Sequence, residues 1–248
     1  MNNLILTKEL ELTIYFEYIK NKYYEPNPTK FYLVLLFIIF YLSIPGYHIP
    51  SLEFTRTRVS AIMEQRALEN FLIFYPSREW LRYSDFPMAI KQAVIVLEDD
   101  GFTSHKGIDW PSIRSAMMAN KRKGKVVKGG STITMQTAKN IYFSTRRHYF
   151  RKAKEILTAM RMEKELPKEV ILEHYLNIVE LGKGIFGFEA ASEKFFGKSA
   201  KELSKVQVAR LVAVLPSPLK HKPTDNSKLV SLRKNIALQR MSSALLPE

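Results

Sequence analysis

The chain has 248 residues, a hydrophobic share of 46% and a formal net charge of +14 from 38 Lys+Arg against 24 Asp+Glu, which excludes global disorder and leaves room for one large domain or two small ones. With no cysteine, a disulfide framework, a thiolate metal site and a Cys nucleophile are excluded together. The positive balance implies an anionic counterpart, whether nucleic acid, a phospholipid surface or a phosphorylated substrate.

The first apolar element runs from Phe31 to Ile44, FYLVLLFIIFYLSI, and carries no charge. A spanning helix prefers roughly 20 residues, so a run of this length also fits a buried core helix. Lys30 at its start, Pro26 and Pro28 before it, Pro45, Gly46 and Pro50 after it, and Tyr32, Tyr41 and Tyr47 near its ends favour a membrane anchor over residues 31–47. A cleaved signal is disfavoured, because about 30 residues precede the run and SIPGYHIP follows it. Lys20, Lys22 and Lys30 lie on one side and Arg56 and Arg58 on the other, which puts residues 1–30 in the cytoplasm and the remainder outside.

Residues 48–80 read as a stalk, with Ala61, Ile62, Leu68, Phe71 and Leu72 at near-helical spacing. The main domain, 81–223, is mostly α: helical periodicity covers 87–98, 110–123, 132–143, 151–166, 168–181, 187–195 and 204–215, with few alternating strands. Ser199 with Glu202 and Ser204 with Gln207 have capping-box spacing. Residues 224–248 read as a basic, weakly patterned tail packed on the domain.

Four stretches could carry chemistry. In VLEDDGFTSHKGIDW, Glu98 ends the apolar run AIKQAVIVL, where partial desolvation raises a carboxylate pKa and suits a general base or acid; an acidic helix end in solvent is the plainer alternative. In KVVKGGSTITMQTAKN, paired glycines before Ser131 and Thr132 at a helix start offer backbone N–H groups to a phosphate, and Thr132, Gln136 and Lys139 share a face; a Gly-Gly turn with a Ser cap fits equally. It is not a nucleotide P-loop, since the GK[ST] ending is absent. In RRHYFRKAKEILTAMRMEKEL, Arg147, Arg151, Lys152 and Lys154 crowd a helix start around Glu155, an arrangement that either awaits an anion or forms a solvated basic face. Among such cations Glu155 should stay ionised, unlike Glu98. In KEVILEHYLNIVELGKGIFGFEAASEKFFGK, Glu173, Asn177 and Glu180 line one helical face, and most residues read as architecture.

The order and spacing of these strings resemble the peptidoglycan glycosyltransferases, in particular the monofunctional biosynthetic transglycosylases. The resemblance runs from about Pro50 to Pro223 and rests on EDxxFxxHxG (Glu98 to Gly107), GGSTIT with Gln136, RKxxE (Arg151 to Glu155) and KxxILExYLN (Lys168 to Asn177). Met135 departs from the paired glutamines common after GGSTIT. The resemblance implies a lysozyme-like, mostly α domain behind a single N-terminal transmembrane helix. It implies Glu98 as base and Glu155 as second catalytic carboxylate, with Asp99, Phe102, His105, Ser131, Thr132, Gln136, Lys139, Arg147, Arg151 and Lys154 binding substrate. It further implies lipid II and the growing glycan strand as partners, the bilayer of a bacterial cytoplasmic (inner) membrane as location, other cell-wall synthesis proteins as possible associates, and no nucleic acid. It allows a divalent cation, Mg2+ or Mn2+, and no other cofactor. Phe71, Ile73, Phe74 and Tyr75 are its candidates for a membrane-dipping surface. Two rivals are a lytic enzyme on the same fold, which has no use for a phosphate cradle, and a non-catalytic anion-binding protein, which leaves Glu98 unexplained.

Overall fold

The computed structural model describes residues 15, 28–46, 48–57, 59–69, 79–125, 129–146 and 148–247. Arg147, the membrane-dipping candidates Phe71 to Tyr75, Tyr47, Arg58, Lys20 and Lys22 lie outside the described residues. The chain divides into two compact units, Met1–Ile44 and Pro45–Glu248.

In the first unit, helix α1 (Pro28–Leu42) has 15 residues, PTKFYLVLLFIIFYL. Its apolar side chains are exposed from Phe31 to Ile39 and at Tyr41 and Leu42, with Phe40 partly buried, so the helix is hydrophobic on all sides. Among the described residues, no helix is long and apolar enough to cross a membrane.

The second unit is mostly helical. Helix α2 (Ala61–Glu69) buries Ile62, Met63 and Ala67, whereas Leu68, which near-helical spacing placed with them, is 79% exposed. Helix α3 (Met88–Glu98) buries Ile90 and Ala93 to Ile95 in the main core, with Val96 also buried, and so carries Glu98 out of an apolar interior at its last turn. Helix α4 (Trp110–Lys123) starts on Asp109, whose side chain accepts from the Ser112 N–H, and stops at Gly124 in the left-handed region, φ 62°. Helix α5 (Ile133–Tyr142) is central and packs against α2, α6 (Tyr149–Glu165) and α7 (Lys168–Ile178).

The periodicity over 168–181 overshoots. Helix α7 ends at Ile178, and Glu180–Gly182 (β1) pairs antiparallel with Ile185–Phe186 (β2). The chain turns back because the Val179 carbonyl accepts the Gly187 N–H at 2.9 Å, and a Cβ on Gly187 (φ 82°) would meet the Asn177 carbonyl at 2.5 Å. Helix α8 (Phe188–Phe196) follows, then α9 (Lys205–Ala213). The Ser204–Gln207 capping box is present; Ser199 instead starts a short 3-10 turn, its Oγ accepting from the Lys201 N–H, so that pair is not a capping box. The stretch read as a tail contains a further helix, α10 (Lys228–Arg240), packed on α9 and α3 through Val230 and Ala237.

The polar face of α7 is architecture. Glu173 accepts from Trp80 Nε1 and the Tyr83 N–H, each at 2.7 Å, and Asn177 bonds both backbone polar groups of Leu81. These contacts fix the entry to α3. The two-stranded hairpin is tied to α2 by Arg66, whose Nε and Nη2 donate to the two Glu180 oxygens.

Candidate active site

Helix α5 organises the site because neighbouring turns present different groups to different neighbours. Gln136 faces the end of α3, and its Nε2 donates to Glu98 Oε2 at 3.1 Å. The other Glu98 oxygen accepts from Arg233 Nη2 at 2.5 Å, reaching in from α10. The Tyr175 hydroxyl of α7 donates to Gln136 Oε1 at 3.3 Å. That bond fixes which end of the amide points at the carboxylate: with its oxygen engaged by Tyr175, Gln136 offers N–H to Glu98.

Glu98 is about one-tenth exposed, 11% at the side chain. Burial pushes its carboxyl above the usual carboxylate range, against the opposing pull of Arg233 and of the Gln136 hydrogen bond, while the neighbouring Asp99 charge pushes it further up. A carboxylate on an apolar helix, made more basic by desolvation yet kept ionisable by a cation and an amide, is what a general base at neutral pH requires.

On the next turn of α5, Lys139 faces α6. Burial lowers its ammonium pKa, and Glu155 opposes this. Glu155 is 2% exposed and sits between Arg151, which donates to Oε2 at 2.7 Å, and Lys152, which donates to Oε1 at 2.5 Å. Lys152 also reaches Ser131 Oγ at 3.1 Å, tying the GGST segment to the start of α6. Beside this cluster lies an open pocket of about 540 Å³ lined by Tyr142, Phe143, Arg146, His148, Arg151 and Lys154, together with Ser144 and Phe150. Two arginine forks and a lysine among aromatic side chains suit a diphosphate group.

Several sequence candidates support the site from behind. Asp99, buried, accepts the Ile133 N–H at 2.9 Å and meets His105 Nε2 at 2.9 Å. Thr132 caps α5 by accepting from the Met135 N–H, and its hydroxyl donates to the Gly107 carbonyl at 2.6 Å. The first turn of α5 therefore has its Ile133 and Met135 N–H groups taken by Asp99 and Thr132. Phe102 is fully buried under Lys168, whose Nζ lies 4.4 Å from the ring centroid. Lys168 also donates to Glu163 and to the His105 carbonyl, each at 2.8 Å, and Thr134 bonds the same Glu163. Asp99, Phe102, His105 and Thr132 thus hold the ends of α3 and α5 in register.

Glu98, Gln136 and Lys139 come together along α5, with Ser131, Arg151 and Glu155 beside them and Lys154 on the adjoining pocket. Three residues were not singled out as site residues from sequence. Lys152 was visible in the basic run, one helical turn before Glu155. Tyr175 was assigned to the apolar face, and burial and the nearby Glu98 charge hold its phenol well above its ordinary value. Arg233 lies 135 positions from Glu98 in a helix with little apolar periodicity, and no local signal marks it.

Comparisons with known proteins bear on the family of the chain. A family model described as Transglycosylase matches residues 64–242. The chain is 38% identical over 218 residues to a biosynthetic peptidoglycan transglycosylase of Janthinobacterium sp. (strain Marseille), covering 87% of this chain and 92% of that protein. It is 40% identical over 181 residues to the protein of the same description in Azoarcus sp. (strain BH72), covering 73% and 76% of the two chains. A third, in Acinetobacter baumannii (strain ACICU), is 41% identical over 170 residues, 68% of this chain and 76% of its own.

Proposed function

Because the chain belongs to the transglycosylase family, we infer that it is a peptidoglycan glycosyltransferase, polymerising lipid II into β-1,4-linked glycan strands and releasing undecaprenyl diphosphate. The observation that carries the chemistry is the Glu98 carboxylate, desolvated at the end of α3 and held by Arg233 of α10 and by Gln136 of α5, the helix that also presents Lys139. Glu98 takes the proton from the acceptor sugar's 4-hydroxyl as that oxygen bonds to the donor's anomeric carbon. The bond from that carbon to the pyrophosphate breaks on the opposite face, which inverts the centre. Charge growing on the departing pyrophosphate is met by Lys139, Arg151 and Lys154, with Arg147 assigned to the same task from sequence. Glu155 holds Arg151 and Lys152 in place and acts on Lys139, so it shapes the cradle.

The carboxylates of the site do not fit a dedicated Mg2+ or Mn2+ centre: Glu98 is engaged by Arg233, Glu155 by Arg151 and Lys152, and Asp99 by His105 and a backbone N–H. A divalent cation would have to arrive with the pyrophosphate. The lysozyme-like arrangement is likewise part of this reading, supported by a unit that among the described residues is mostly helical with one short hairpin.

Helix α1 is assigned to lipid, since a segment apolar on all sides is stable there and unfavourable in water. Extended to residue 47 it serves as a single-pass anchor in the bacterial inner membrane, with residues 1–30 inside and the catalytic unit on the outer face, where other cell-wall synthesis proteins can join it. Full-length protein incubated with labelled lipid II should give a ladder that a muramidase digests, and Glu98→Gln should slow its formation by about 10²- to 10⁴-fold. Polymer from Glu98→Gln at the wild-type rate would remove Glu98 as the base.

A further inference from the structure

A second open pocket, about 510 Å³, lies between the β1–β2 hairpin, the end of α8 and the loop over 218–225. Its chemistry differs from that of the arginine-lined pocket. Lys183, Lys194, Lys220 and Lys222 ring it, with His221 beside them, over an apolar floor of Ile185, Phe195 and Leu219. Among the described residues, none of these four lysines has an ion pair. The acidic lining residue, Asp225, has one carboxylate oxygen occupied by the Lys222 backbone N–H at 2.9 Å. Four like charges around one depression repel one another, and an anion seated among them relieves that repulsion.

Position ties this pocket to the reaction. Glu180, the first residue of β1, is close enough to Lys139 to act on its charge, while Gly182 and Lys183 at the other end of the strand line the pocket. The two ends of β1 are two residue steps, about 7 Å, apart, so one short strand carries both a residue near the phosphate cradle and the rim of this pocket. The floor accepts aliphatic groups, and flexible single-point ammonium groups follow a carboxylate whose position varies, where rigid arginine forks would fix one geometry.

We propose that this lysine-ringed pocket binds the carboxylate end of the peptide carried by the glycan substrate, so that the enzyme recognises the peptide as well as the sugar and the pyrophosphate. The inference rests on the glycosyltransferase activity proposed above. The test is full-length enzyme with two lipid-linked disaccharide-peptide substrates, one ending in a free carboxylate and one in an amide. Wild type should show a KM about fivefold lower for the carboxylate form, with equal kcat. The double variant Lys194→Ala, Lys222→Ala should lose that preference by raising KM for the carboxylate form alone, and Lys194→Arg, Lys222→Arg should retain most of it. Equal KM values in wild type, or an equal loss on both substrates in the alanine variant, would overturn the subsite while leaving the activity intact. Failure of wild type to polymerise either substrate would overturn the activity and the subsite with it.

Discussion

The two carboxylates of the site are built in opposite ways. Glu155 takes its partners from its own helix, Lys152 and Arg151 at three and four residues before it, and it is buried at 2% exposure between them. Glu98 takes its partners from two other helices, Gln136 at a separation of 38 positions and Arg233 at 135. The local cluster is set as soon as α6 forms, since groups three and four apart meet on any helix. The distant one exists only when α3, α5 and α10 are packed together, so the basicity of Glu98 is a property of the whole fold.

That contrast can be broken one partner at a time. The largest effect is expected at Glu155, where Glu155→Gln leaves Arg151 and Lys152 without their counter-charge and disorganises the phosphate cradle. Turnover should fall about a hundredfold, the scale of losing one preorganised electrostatic group, with the acid limb of the pH–rate profile unmoved. A shift of that limb would mean that the two carboxylates titrate together.

Arg233→Met comes next. Arg233 favours the ionised form of Glu98, so its removal raises the Glu98 pKa further and leaves less of the base form at neutral pH. The acid limb should move to higher pH, with a loss of rate below it and recovery above it. An unmoved limb would show that Arg233 only packs. Tyr175→Phe should have the smallest effect: removing one neutral hydrogen bond, worth about 1 kcal/mol, frees the Gln136 amide to turn its oxygen toward Glu98. A loss of about fivefold in kcat at constant KM is the expected readout. A change in KM alone would assign Tyr175 to substrate contact.

Legibility in the sequence follows the same division. Helices α3, α5 and α9 were readable because each buries a periodic apolar stripe, α4 because Asp109 caps its start and Gly124 ends it, and the Ser204 capping box because its bonds span three residues. The basic cluster around Glu155 was readable as an i, i+3, i+4 pattern, and so was Glu98 at the end of its apolar run. Helix α10 was not: it buries only Val230 and Ala237 and exposes Leu232 by 58%, and its arginine points inward at Glu98, which erases the stripe that would announce it. The hairpin after α7 was hidden because Val179, Leu181 and Phe186 continue an apolar pattern while the turn is enforced by a backbone approach at Gly187. For the start of α5, where two readings stood open, the sequence offers no local signal for the partner of the Ile133 N–H, because Asp99 comes from 34 positions away.

The most direct test of a base tuned by burial is the pH dependence of kcat/KM for wild-type enzyme polymerising lipid II. Desolvation raises the Glu98 pKa, so the rate should climb with pH through an apparent pKa above the free glutamate value of about 4.3, and this limb should be absent from any residual activity of Glu98→Gln. An acid limb at or below that value, or one that persists unchanged in Glu98→Gln, would contradict the assignment of Glu98 as a desolvated general base.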